Sequence, residues 1–177
     1  MKTLVLPALL LVAPLPAIAA SAEDPVREIM RIAEARLDGR SEPQDYFEGE
    51  RLTRHFSKRF VAAYQDASRF PAYDDGSGNP FDYDVIINGQ DGCPLEDVEI
   101  RNAGDNAGVT TVVASFHLWR CVPADAAEYN SVTEVRFDVV SEDGRPVIDD
   151  IHRRRDGLWI SLVGEMKEIV ASGEGSK

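Results

Sequence analysis

The chain has 177 residues, with 31 acidic against 19 basic side chains and a formal net charge of −12. At 44% hydrophobic and 28% charged it has the composition of a globular domain, not of a disordered tail or a fibre. The acidic balance excludes sequence-independent nucleic-acid binding, which needs Lys and Arg to displace phosphate counterions, and equally excludes docking on an anionic membrane surface.

Residues 1–22 read as a cleavable signal peptide: Lys2 is the positive end, Leu4 to Leu15 is apolar, and Pro14 and Pro16 precede small residues. Ala17-Ile18-Ala19 and Ala20-Ser21-Ala22 both place small residues at cleavage positions. The second is preferred because the acidic Glu23-Asp24-Pro25 follows it. The apolar run is about a dozen residues with Pro7 inside, short of the ~20 that a spanning helix needs. With no cysteine near the cut and no later stretch able to cross a membrane, the expected product is a periplasmic or secreted protein, not a lipoprotein. It is expected to form a single domain over residues 23–172, followed by a disordered tail at 173–177.

Val26, Ile29, Met30, Ala33 and Leu37 follow helical spacing, predicting a helix over 24–38 that starts at Asp24 as N-cap and ends at Gly39. Leu52, Phe56, Phe60 and Tyr64 predict a second helix over 47–67, whose opposite face carries Arg51, Arg54, Lys58 and Arg59 as a solvated basic stripe. Residues 71–94 concentrate Pro, Gly, Asp and Asn without period, a long connection of the kind that is functional or partly mobile. The period then changes to two. Strands are predicted at Val98–Ile100 before a Gly-Asp-Asn turn, at Val109–Trp119, at 132–140 closed by Asp143-Gly144, and at Val147–Arg153. Asp156-Gly157 makes a turn, and Ser161 caps a final helix holding Leu162, Val163, Met166, Ile169 and Val170. The expected class is α+β: N-terminal helices on a curved antiparallel sheet of about four strands, with a closing C-terminal helix.

Export favours pairing of Cys93 with Cys121 as a structural disulfide, because neither lies in a redox or protease signature. In the chain-entropy picture such a link stabilises the fold by about 3.5 kcal/mol. No His lies at ligand spacing to complete a zinc site with them, and no metal or cofactor is expected.

Three stretches carry a resemblance: Leu52 with Phe56-Ser57 and Phe60; Phe81 to Asp91; and Val147-Ile148-Asp149-Asp150-Ile151 after an Asp-Gly turn, followed by Ser161-Leu162. Together they resemble the domain of unknown function 3828 family of small exported bacterial proteins. Such proteins are similar to the nuclear transport factor 2-like (cystatin-like) fold, a cone made by a curved sheet wrapped around helices. The resemblance implies fold and compartment; it carries no reaction. It singles out Asp84, Gln90 and Asp91 as ligand contacts.

Asp82, Asp84, Asn88, Gln90 and Asp91 put five oxygen-bearing side chains within ten residues. They fail the helix-loop-helix calcium spacing, whose sixth position, a required Gly, falls on Ile87. Turn capping explains them better. On the last long strand Ile148, Asp150 and His152 should share one face, with Val147, Asp149 and Ile151 on the other; on Val109–Trp119, Ser115, His117 and Trp119 share a face. Asp150 beside His117 or His152 is therefore a candidate acid–base pair. The alternative is that Asp149 and Asp150 simply pair with Arg153–Arg155, a soluble edge that blocks strand addition. The expected function is non-catalytic binding of a small molecule, envelope component or protein. An isomerase- or dehydratase-like enzyme is the first alternative, and an acidic inhibitor of a basic hydrolase the second.

Overall fold

The computed structural model describes residues 20–39, 44–74 and 76–175. Most of the expected signal peptide lies outside the described residues. The elements run α1 (Glu23–Asp38), α2 (Glu50–His55), α3 (Lys58–Ala67), β1 (Glu96–Asn106), β2 (Val109–His117), β3 (Val132–Glu142), β4 (Arg145–Arg155), β5 (Leu158–Ser161) and α4 (Leu162–Gly175). The class is α+β, with a five-stranded antiparallel sheet in the order β1-β2-β3-β4-β5.

Alternation along the strands builds the core. Val112, Ala114 and Phe116 of β2 and Val135, Phe137 and Val139 of β3 point to one face, all at most 2% exposed. That face meets Val26, Ile29, Met30 and Ala33 of α1, Phe60 of α3, and Leu162, Val163 and Met166 of α4 in one apolar cluster. The aromatic rings of Phe47, Phe56, Phe60, Tyr64 and Phe81 stack through it, the Phe56–Phe60 centroids 4.4 Å apart. The loop through 71–94 belongs to the same core: Phe81, Val85, Ile86 and Ile87 are buried.

Two hairpins turn where two consecutive residues have positive φ: Ala107-Gly108 and Asp143-Gly144. The first corrects the expected Gly-Asp-Asn turn. β1 absorbs Gly104 and Asp105 by a register shift between Asn102 and Gly104 and runs on to Asn106. A third positive-φ pair, Asp156-Gly157, also closes a hairpin, so the chain after it forms β5, a strand beyond the four expected.

The helices depart from expectation at their ends. Asp24 does not cap α1 from outside; it lies within the first turn, and its carboxylate accepts the Ser21 backbone N–H at 2.8 Å. The predicted 47–67 helix is two helices. Phe56 and Ser57 are extended between them, Phe56 bridging Ile148 of β4 and the Ser57 N–H donating to the Ile148 carbonyl at 2.9 Å. The break thus pairs with β4 at Ile148, in the part of that strand that β5 leaves uncovered. The expected basic stripe is exposed at Arg54, Lys58 and Arg59, and its members also make polar contacts: Arg51 with Gln44 and the Asp45 carbonyl, Arg54 with Glu50, Lys58 with Asp143 and Arg59 with Asp149. At the other end α4 continues through Gly175, past the expected limit of order at 172. The Phe70 ring packs so closely on Gly173 that a Cβ there would lie 2.2 Å from its Cδ1, and Arg69 pairs with Glu174 at 3.5 Å.

Candidate functional site

The first polar constellation grows from a defect in β4. Asp138 of β3 pairs with Asp150 and Val139 with Ile148, leaving Asp149 as an extra residue on β4. This bulge overturns the expected alternation. Ile148 and Ile151, three apart, both reach the core at 0% exposed. Asp150 and His152 share the opposite side with Asp138.

Asp149 locks the break between α2 and α3. It accepts the Ser57 hydroxyl at 2.6 Å and the Arg59 Nη2 at 2.6 Å, while the Ser57 Oγ accepts the Phe60 N–H at 3.0 Å as the cap of α3. Burial alone would raise the Asp149 carboxyl, but these donors outweigh it and hold the group below its usual range. Asp150 does the same for α4. Its Oδ1 accepts the Val163 N–H at 3.0 Å and its Oδ2 the Ser161 hydroxyl at 2.5 Å, and Ser161 in turn caps Gly164 as predicted. Asp150 is thus a cap of α4 supplied by a strand, Asp149 holds Ser57, the cap of α3, and neither aspartate pairs with Arg153–Arg155.

Of the two histidines proposed beside Asp150, the structure brings only His152 near. Its Nε2 lies 2.9 Å from Asp138 Oδ2 and 3.8 Å from Asp150 Oδ2. The Asp138 hydrogen bond raises the imidazole pKa above its ordinary value; burial opposes this, and the charges of Asp150 and Asp138 reinforce it. His117 pairs with Val132, six residues from Asp138 along β3, or about 20 Å at strand spacing. Its Nδ1 meets the Ser131 carbonyl at 3.0 Å and its Nε2 meets Arg120 at 3.1 Å, so both ring nitrogens are occupied locally. His152 and Asp150 do not line the cleft at the loop end of the sheet, and Asp150 is buried against the start of α4 while His152 is half-buried beside Asp138.

A second constellation lies where the loop of residues 84–92 meets the end of the sheet. Asp84 is a hub of this loop: Oδ1 accepts the N–H groups of Ile86 and Ile87, and Oδ2 accepts Arg36 Nε at 3.0 Å and the Tyr46 hydroxyl at 2.8 Å. With every lone pair engaged, it is structural. Gln90 donates to the Asp82 carbonyl at 2.9 Å. Asp91 alone of the three faces a cleft, of about 390 Å³. Ile87, Leu118, Trp119 and Val132 give it apolar walls, and Asn88, Glu134, Arg153 and Arg154 join Asp91 to give it a strongly polar and charged lining. Cys93 and Cys121, bonded with their Cα atoms 5.7 Å apart, tie both sides of this cleft together, as export predicted.

Arg153 is the residue that sequence reasoning misplaced. It is 2% exposed, not a soluble edge. Its guanidinium donates to Glu165 of α4 at 2.5 Å, to the Tyr83 hydroxyl and to Asn88 Oδ1 at 3.4 Å. Tyr83 closes the ring by donating to Glu165 at 2.7 Å, and burial raises its phenol pKa. Arg153 Nε is without a partner, the one such buried side-chain atom among the described residues. Parity was the available signal: Arg153 stands two residues after Ile151 and must share its face. Arg154 is exposed and stacks instead on Trp159, which also lies 3.8 Å from Arg136.

No cluster of His, Cys, Asp and Glu fit to hold a metal occurs among the described residues. No described helix is long and apolar enough to cross a membrane. No family model, curated protein or solved structure matches the chain.

Proposed function

We propose that this is an exported, non-catalytic binding protein of the domain of unknown function 3828 type, with the cone-like sheet of the nuclear transport factor 2-like fold. The cleft at the disulfide-tied end of the sheet carries this reading. It joins an apolar wall of Ile87, Leu118, Trp119 and Val132 to polar and charged groups at Asn88, Asp91, Glu134, Arg153 and Arg154. Such a lining suits a small amphipathic molecule, its apolar part against Trp119 and its polar end toward the loop. The disulfide holds the two walls at a fixed distance without a ligand, which reduces the ordering loss on binding. It also suits an oxidising compartment.

Native and denaturing mass spectrometry of protein purified from the periplasm tests the reading. A small-molecule mass present only under native conditions, and absent from a Val132→Arg variant that fills the cleft mouth, supports it. A clean apo mass, with no thermal shift across a panel of amphipathic ligands, overturns it.

The acid–base reading keeps one observation in its favour, the His152–Asp138 contact at 2.9 Å. In that reading His152 is the proton carrier and Asp138, not Asp150, orients it. A turnover that survives His152→Asn would end it.

A further inference from the structure

The folded domain begins earlier than the preferred cleavage site allows. Ser21, next to the N-cap residue Ala22, is tied to the first turn of α1 by three hydrogen bonds. The Ser21 Oγ accepts the Glu23 N–H at 3.3 Å, the Asp24 carboxylate accepts the Ser21 N–H at 2.8 Å, and the Ser21 carbonyl accepts the Asp24 N–H at 3.0 Å. Ala22 packs against the apolar core. Ala20 and Ala22 lie along a groove at the hairpin end of the sheet, beside Gly108, Thr110, Val139 and Pro146. Residues 20–22 are therefore part of the domain.

Two small-residue pairs precede α1, and they differ in what cleavage leaves behind. A cut after Ala22 deletes all three hydrogen bonds. It also places the new ammonium group on Glu23, the first residue of α1, where it meets the positive end of the helix dipole. A cut after Ala19, with Ala17 and Ala19 as the small residues the peptidase reads, leaves these three hydrogen bonds whole. It puts the ammonium one residue before Ser21, outside the helix.

We propose that the signal peptide is removed between Ala19 and Ala20, so that the mature chain starts at Ala20 and keeps the hydrogen bonds between Ser21 and the first turn of α1. This rests on the export reading, and one experiment separates the two. The full chain is expressed in a Gram-negative host, and the soluble periplasmic and cytoplasmic fractions are each read by intact mass. A periplasmic chain starting at Ala20 is the expected result. A periplasmic chain starting at Glu23 overturns the cleavage site while leaving export intact. Uncleaved chain confined to the cytoplasm overturns export and the site with it.

A second measurement tests the physical argument alone. Chains starting at Ala20 and at Glu23 are compared by thermal melting, with Ser21→Ala in the longer one. The shorter chain should melt about 3–6 °C lower, and Ser21→Ala about 2–4 °C lower, at the usual sensitivity of a domain this size. Equal melting of all three overturns the claim that the Ser21–Asp24 hydrogen bonds anchor the start of α1.

Discussion

On the helix side of the sheet, Val112, Phe116, Phe137 and Val139 are sealed beneath α1, α3 and α4. On the other side, Arg101, Glu134, Arg136, Asp138, His152 and Trp159 lie half open and mostly touch one another. The same strands supply both sets by simple alternation, yet the energetics differ in kind. The covered face gains from removing apolar area from water, which is large and insensitive to pH. The open face gains from exposed pairs such as Arg101–Glu134 at 3.6 Å, each worth at most about 1 kcal/mol and weakened by salt. Stability therefore resides on one face, and sensitivity to solution conditions on the other.

The largest effects should follow substitutions on the covered face. Phe137 is fully buried at the centre of the sheet, and Phe137→Ala should cost about 3–5 kcal/mol in urea unfolding. Arg136→Ala, its neighbour on the open face, should cost about 1 kcal/mol or less through its contact with Trp159. Similar losses for the two would break the comparison. The Cys93–Cys121 bond comes next. It closes a separation of 28 residues, and removing it by Cys93→Ser with Cys121→Ser should cost about 3.5 kcal/mol, read as a lower urea midpoint.

The bulge at Asp149 is where the faces meet, and its effect is intermediate. Ser57→Ala removes a buried hydroxyl that both caps α3 and satisfies Asp149, so a loss of about 1–3 kcal/mol is expected. Because the Asp149 carboxyl is held below its ordinary value, its contribution is present above the unfolded-state value near pH 4. It is lost as pH falls through the lower folded value. Asp149→Asn should then flatten the acid limb of the stability curve. An unchanged acid limb would show that its hydrogen bonds add nothing.

These features mark how far the sequence could be read. α1, the alternating β2 and β3, and the Asp143-Gly144 hairpin were legible because each is written in one local period or one turn pair. The split at Phe56-Ser57 was not, because the partner that rewards it, Asp149, lies 92 residues away. Helical periodicity continues through the break, and only the contact interrupts it. The bulge was hidden for a related reason. A single extra residue shifts parity without changing composition, so Ile148 and Asp150 were expected on one face and lie on two. In the candidate sites, Asp84 was read chiefly as a turn cap, and its Oδ1 does accept the Ile86 and Ile87 N–H groups; its long-range partners Arg36 and Tyr46 could not be read from spacing. Trp119 and Arg153 were undervalued because their side chains matter only where the loop of residues 84–92 folds back on the sheet.

The smallest effect is the one most specific to the open face. His152 draws its raised pKa chiefly from Asp138, so Asp138→Asn should lower it toward the ordinary value, read directly by imidazole titration in NMR. In the native protein the gain from this pair is fully present below the unfolded-state value near pH 6.5 and disappears as pH rises through the higher folded value. With both partners partly exposed it amounts to about 1 kcal/mol or less. Raising the salt concentration should shrink the shift in wild type more than in Asp138→Asn, which keeps only the Asp150 charge nearby. A shift that withstands salt would mean that Asp150, shielded beneath the start of α4, is the dominant partner, and that this part of the open face is in effect closed.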